Sequence, residues 1–208
     1  MKKVDTKTVL YQCEINRYHY AIIFFSSVVG FQALYAGNKI MKARIATFGR
    51  NNAVIEEKFG SIHRESFGPE SKISYYGYPD MGNNLYADLL PYADWFKMNN
   101  AIRMHEHLLD QITTLYVTTF LSSLWYPRYT LAIIAIYASL RFFHIKAYTS
   151  QRGINKAKGA GDALKMLCFL MSVGAGISSL RILGVTAWLA RINPVALYRA
   201  RKLRKAAS

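Results

Sequence analysis

Residues 20–37, YAIIFFSSVVGFQALYAG, carry no charge and mix β-branched with aromatic side chains. Such a run is poorly suited to an exposed soluble helix and long enough to cross a thin hydrocarbon core. Inside lipid every backbone N–H and C=O must be satisfied within the segment, so the run is expected to be a membrane helix. Tyr18, Tyr20 and Tyr35 fall near its ends, at the headgroup level that amphipathic rings prefer. No small-residue cleavage pattern follows the run, and the expectation is that it is retained.

Three further spans are expected. The second, LLDQITTLYVTTFLSSLWYP at about 108–126, ends at Pro127, and its helix is expected to start before the bilayer, near Trp95. The third, at 129–148, follows at once through a tight WYPR turn, and a basic connector, TSQRGINKAKG, leads to the fourth at about 160–183. Gly174, Gly176, Ser178 and Ser179 in the fourth span permit close helix packing. Residues 38–97 read as a long extramembrane connector without strong periodicity, ending in a Tyr-rich stretch with turns at Pro79 and Gly82. A connector of that length is expected to cover or bind something, and its tyrosines suit packing on the protein's own membrane face or a partner surface. The tail 186–208 interleaves apolar residues with Arg191, Arg199, Arg201, Lys202, Arg204 and Lys205, the pattern of a C-terminal amphipathic basic helix lying on anionic lipid. The expected fold is therefore a single all-α membrane domain over 1–208, a four-helix bundle with both termini on one side.

Whole-chain averages dilute this signal, since mean hydropathy is only +0.06. Charge is informative: 27 Lys and Arg against 12 Asp and Glu give +15, which calls for an anionic partner. Most aromatics lie within the apolar runs rather than on a solvated basic face, which disfavours nucleic acid. Cys13 and Cys168 are expected at different depths, too few for a disulfide framework. No metal-ligand spacing is present, because His105 and His107 lie on nearly opposite sides of one helix.

Ionisable groups at membrane depth are costly and need a partner or a purpose. Arg103, His107, Asp110 and Thr114 recur at helical steps, as do Tyr137, Arg141, His144 and Tyr148, so each set forms one stripe. The stripes are expected to face each other, or a neighbouring subunit, across the bundle interior. Two readings stay open. The stripes line a pocket for an anionic polar ligand, with Arg103 and Arg141 on carboxylate and Tyr148 or His107 donating hydrogen bonds; or Asp110 and the arginines form ion pairs that fix helix register.

Four places in the chain resemble the MAPEG family, the membrane-associated proteins in eicosanoid and glutathione metabolism, closest to the microsomal glutathione transferase branch. They are Lys42-Ala43-Arg44 at the exit of the first span, Arg103-x-His105-x-x-x-x-Asp110 opening the second, Tyr126-Pro127-Arg128 at the hairpin, and RFFHIKAY at 141–148. The resemblance implies a left-handed bundle, commonly trimeric, with glutathione between subunits. It places Arg44, Arg103 and Tyr148 at family positions that contact glutathione, with His107, Asp110, Arg141 and His144 as further binding residues if the site is retained. The departures matter more. His107 stands for the family's Asn, Asp110 for its Glu, Gln111 for a Tyr, His144 for a Tyr and Ala147 for a Gly. The arginine that stabilises the thiolate falls at about Asn155 or Lys156, with Arg152 a turn earlier, which leaves Lys156 as the candidate catalytic cation. Each missing charge-assisted hydrogen bond costs about 1.5–3 kcal/mol, so binding is expected to be weakened.

Eroded ligands together with an added connector and tail point to a fold reused as scaffold. The expected role is a non-catalytic accessory subunit of a larger membrane assembly, without a cofactor, contacting other membrane subunits and an anionic lipid such as cardiolipin. A mitochondrial inner-membrane respiratory or ATP-synthase complex is the favoured setting. The alternative is a glutathione-dependent transferase or peroxidase of the endoplasmic reticulum or mitochondrial outer membrane. A transporter is disfavoured by the absence of an inverted repeat.

Overall fold

The computed structural model describes residues 15–150 and 153–184. All regular structure among them is helical: α1 (Arg17–Arg44), a π-helical stretch (Ile45–Gly49), α2 (Arg50–Phe67), a 3-10 turn (Ala87–Leu89), α3 (Tyr92–Ser123), α4 (Pro127–Tyr148) and α5 (Gly153–Ile182). Three stretches are long and apolar enough to cross a bilayer: the continuous helix Arg17–Phe67, Pro127–Tyr148 and Ala157–Ile182. α3 falls short of that standard although its length suffices, because Asp110, Gln111 and four threonines interrupt its apolar half. The helices present large apolar side chains outward, among them Phe24, Phe31, Phe120, Phe143 and Phe169, a surface that water would not tolerate.

Helix ends follow local chemistry. Pro127 takes the first position of α4, where its missing N–H is no loss and its φ is already helical. The helix opening the second apolar run begins at Tyr92, three residues ahead of the expected Trp95. α5 starts at Gly153, so the basic connector before it is shorter than the sequence suggests.

The larger departure is between 38 and 67. Instead of an irregular connector the chain stays helical to Phe67, and only 68–91 is built mainly of turns. Charged and polar residues from Arg50 onward hide an amphipathic pattern in which Ile55 and Phe59 share a face. Gly68 ends α2 at φ 103°, a conformation that glycine adopts without strain.

The chain divides into two compact units. One takes residues up to 26 with 114–136 and the chain from 166. There the Thr130 hydroxyl donates to Ser122 Oγ at 2.8 Å and the Tyr129 hydroxyl to the Leu170 carbonyl at 2.6 Å. A Cβ on Gly174 would lie 2.5 Å from Ser122 Oγ and 2.7 Å from the Tyr129 ring, so a small residue is required at that crossing. Gly176 meets nothing within 4 Å and does not contribute to close packing as expected. At the WYPR turn the Arg181 guanidinium lies 5.2 Å from the Tyr126 ring and 5.7 Å from Trp125.

The other unit takes 27–113 and 137–165. Its core joins Phe48, Ile55, Ile73, Met98 and Ile102, with Ile40, Phe59, Tyr86, Leu89 and Leu90 packed around them. The expected connector is thus folded onto the start of α3. Trp95 Nε1 and Asn99 Nδ2 donate to the Gly82 carbonyl at 2.9 and 3.1 Å, pinning the 68–91 segment to α3.

Candidate functional site

Every residue at a family glutathione position falls in the second unit, but the structure does not gather them into one place. Arg44 is 1% exposed. Its Nη2 donates to the Asp80 carbonyl at 2.6 Å and its Nε to the Tyr76 carbonyl at 3.1 Å, while the guanidinium stacks 4.1 Å from the Tyr78 ring. Nη1 is buried without a partner. The loop holding Arg44 is itself organised by Asp80. One carboxylate oxygen accepts the N–H groups of Gly82, Asn83 and Asn84, the other those of Tyr86 and Ala87. Gly77 sits at φ 72°, where a Cβ would lie 2.2 Å from the Phe48 ring. These partners lie more than thirty residues from Arg44, and the sequence offers no periodic signal for them.

The α4 stripe is interior, as expected: Tyr137, Arg141, His144 and Tyr148 are all buried. Arg141 Nη2 donates to Gln111 Oε1 and to the Tyr137 hydroxyl oxygen, both at 2.6 Å, and the Tyr137 hydroxyl donates to Gln111 at 3.0 Å. Gln111, met in the sequence only as a departure from the family pattern, is therefore the acceptor that holds the buried arginine. His107, His144 and Tyr148 form an aromatic cluster with centroids 5.3–6.5 Å apart. Beside it lies a cavity of about 150 Å³ bordered by Arg141, His144, Lys158, Asp162 and Lys165. Arg141 Nε and His144 Nδ1 are buried with no hydrogen-bond partner.

The α3 stripe is met in part within this chain, and the alternative of facing a neighbouring subunit stands as an expectation from the sequence. His107 alone joins the cluster, whereas Arg103, Asp110 and Thr114 are exposed. Arg103 stays 69% exposed in its side chain and approaches Glu106 at 4.0 Å. The ion pairs among the described residues are Arg50–Asp94, Arg64–Glu56 and Arg103–Glu106. Asp110 therefore does not pair with Arg103 or Arg141, and the register-fixing ion pair fails among these residues. The Lys156 side chain, Arg152 and all six tail cations lie outside the described residues.

The MAPEG family matches residues 22–178, three quarters of the chain and every motif described above. The chain belongs to the MAPEG family. Searches among curated proteins and among solved structures matched nothing. Membership and the three apolar helices together make this MAPEG protein a multi-pass integral membrane protein with a helical membrane domain.

Proposed function

We propose that this MAPEG protein is a non-catalytic accessory subunit of a larger membrane assembly, with α3 as the second of four spans. Arg44 carries the reading. A cation at a family glutathione position is closed off by the protein's own 68–91 segment, with carbonyls of Tyr76 and Asp80 where a ligand carboxylate would bind. A buried arginine held through Nε and Nη2 by two carbonyls and stacked on an aromatic face, with Nη1 alone unpaired, gains little from leaving them. The favoured setting remains a membrane rich in anionic lipid, such as the mitochondrial inner membrane, on the strength of the +15 charge.

Purification in mild detergent tests this. Calorimetry with glutathione should give no binding up to millimolar concentration, conjugation of a reactive electrophile should stay at background, and a stoichiometric multi-subunit complex should co-purify. Glutathione binding that vanishes on Arg103→Ala would overturn the scaffold reading.

One observation favours the second reading, a glutathione-dependent transferase or peroxidase. Arg141 Nε and His144 Nδ1 lack partners beside a cavity, as they would if an anionic ligand supplied them. In that case Arg141→Gln abolishes binding along with Arg103→Ala, and Lys156→Gln lowers turnover more than affinity.

A further inference from the structure

A second cavity in the same unit, of about 660 Å³, uses different cations. Lys39 enters it from the end of α1, Arg50 from the start of α2 and Lys97 from the first turns of α3. None of the three belongs to the glutathione positions. The carboxylate on the lining is Asp94, and it is already engaged, by Arg50 at 3.2 Å and by Asn51 at 3.5 Å. The crevice therefore has three cations against one occupied carboxylate, a local excess of positive charge that favours an anion.

Its depth follows from the helices that border it. The uncharged run of α1 closes at Gly37, two residues before Lys39, and α4 ends at Tyr148, with Thr149 and Ser150 on the cavity wall. The uncharged run of the continuous helix and the end of α4 thus both lie beside the crevice, a position that corresponds to the headgroup level if the two apolar segments cross a bilayer. The rest of the wall is mixed: Ala43, Ala46 and Ala101 leave room, and Tyr92 and Phe96 supply aromatic faces. Cations and hydroxyls beside aromatic and alanine surface suit a phosphate ester attached to a hydrocarbon chain. Exposed apolar residues of α1 on the lipid side of the rim, Leu34 and Tyr35, offer a surface for that chain.

We infer that the crevice framed by Lys39, Arg50 and Lys97 binds the headgroup of an anionic phospholipid, with the phosphate among the cations and the acyl chains descending along α1. The site does not depend on whether glutathione binds, because it shares only the Tyr148 wall with that region.

The test uses the full chain in neutral detergent. Phosphatidylglycerol added in mixed micelles should raise the melting temperature by several degrees and remain attached in native mass spectrometry, while phosphatidylcholine should do neither. The variant K39Q/R50Q/K97Q, checked for unchanged helicity by circular dichroism, should lose both responses. The variant R199Q/R201Q/K202Q, which removes three tail charges, should keep them. Equal responses in wild type and the first variant would overturn the assignment, as would loss confined to the tail variant. Inorganic phosphate reproducing the full shift would make this a free-phosphate site, and displacement of the lipid by millimolar glutathione would hand the crevice to the peptide; either result defeats the lipid assignment.

Discussion

Arg44 and Asp80 show how two residues organise a segment far larger than themselves. Asp80 collects five backbone N–H groups, so replacing it with Asn leaves one oxygen for work that two perform. Asp80→Asn should destabilise the protein by about 2–4 kcal/mol, since each buried donor left without an acceptor costs about 1–3 kcal/mol. Limited proteolysis within 68–91, faster than in the wild type at equal temperature, is the readout. Arg44→Lys should behave similarly, because a single ammonium cannot serve both carbonyls and stack on Tyr78. Gly77→Ala should cost about 1–3 kcal/mol from its positive φ alone, with the Phe48 contact added. The position of Arg44 was legible from its Lys-Ala-Arg motif. Its burial was not, because the partners at 76, 78 and 80 are contributed by turns whose course no local pattern dictates. Arg141 was the reverse case: helical spacing grouped it with Tyr137 and His144 on one face, the cost of a charge at membrane depth argued that the face is interior, and all three are buried.

Among the elements, the apolar runs were legible where composition is extreme. The expected third span matches α4 to within two residues, and Pro127 marks its start. Reading 38–67 as irregular failed because hydropathy averaged over mixed residues is uninformative when only one face of a helix is apolar. The α3 stripe is met only in part within one chain. Spacing puts Arg103, His107 and Asp110 on one face, yet it does not say whether that face meets the bundle, and only His107 does. Gly174 and Gly176 make the same point on α5: Gly174→Leu should disrupt the crossing at Ser122 and Tyr129, lowering the melting temperature by several degrees, while Gly176→Leu should be close to neutral.

At the scale of the whole molecule, the proposal that α3 is the second of four spans predicts both termini and the α3–α4 turn on one side of the membrane, with 68–91 and the α4–α5 connection on the other. Reporters of sidedness inserted at residue 2, within 68–91, at 150 and after 208 should therefore fall into two groups, residue 2 with 208 and 68–91 with 150. Labelling of residues 2 and 208 from opposite faces would show that α3 does not cross. The membrane class and family were legible over most of the chain, because hydrocarbon solvation constrains long segments. The task performed in the membrane was far less so, since one fold hosts many functions and the function lives in the site.

The π-helical stretch at Ile45–Gly49 has a consequence for register. A π turn accommodates about one residue more than an α turn, and each residue advances the helix by about 100°. Every side chain of α2 is thereby rotated relative to α1, bringing Ile55 and Phe59 round to Met98 and Ile102. Removing Ala46 would let the backbone relax to uninterrupted α-helix while swinging those two side chains away from their neighbours. A shorter and locally more regular chain would then be the less stable one.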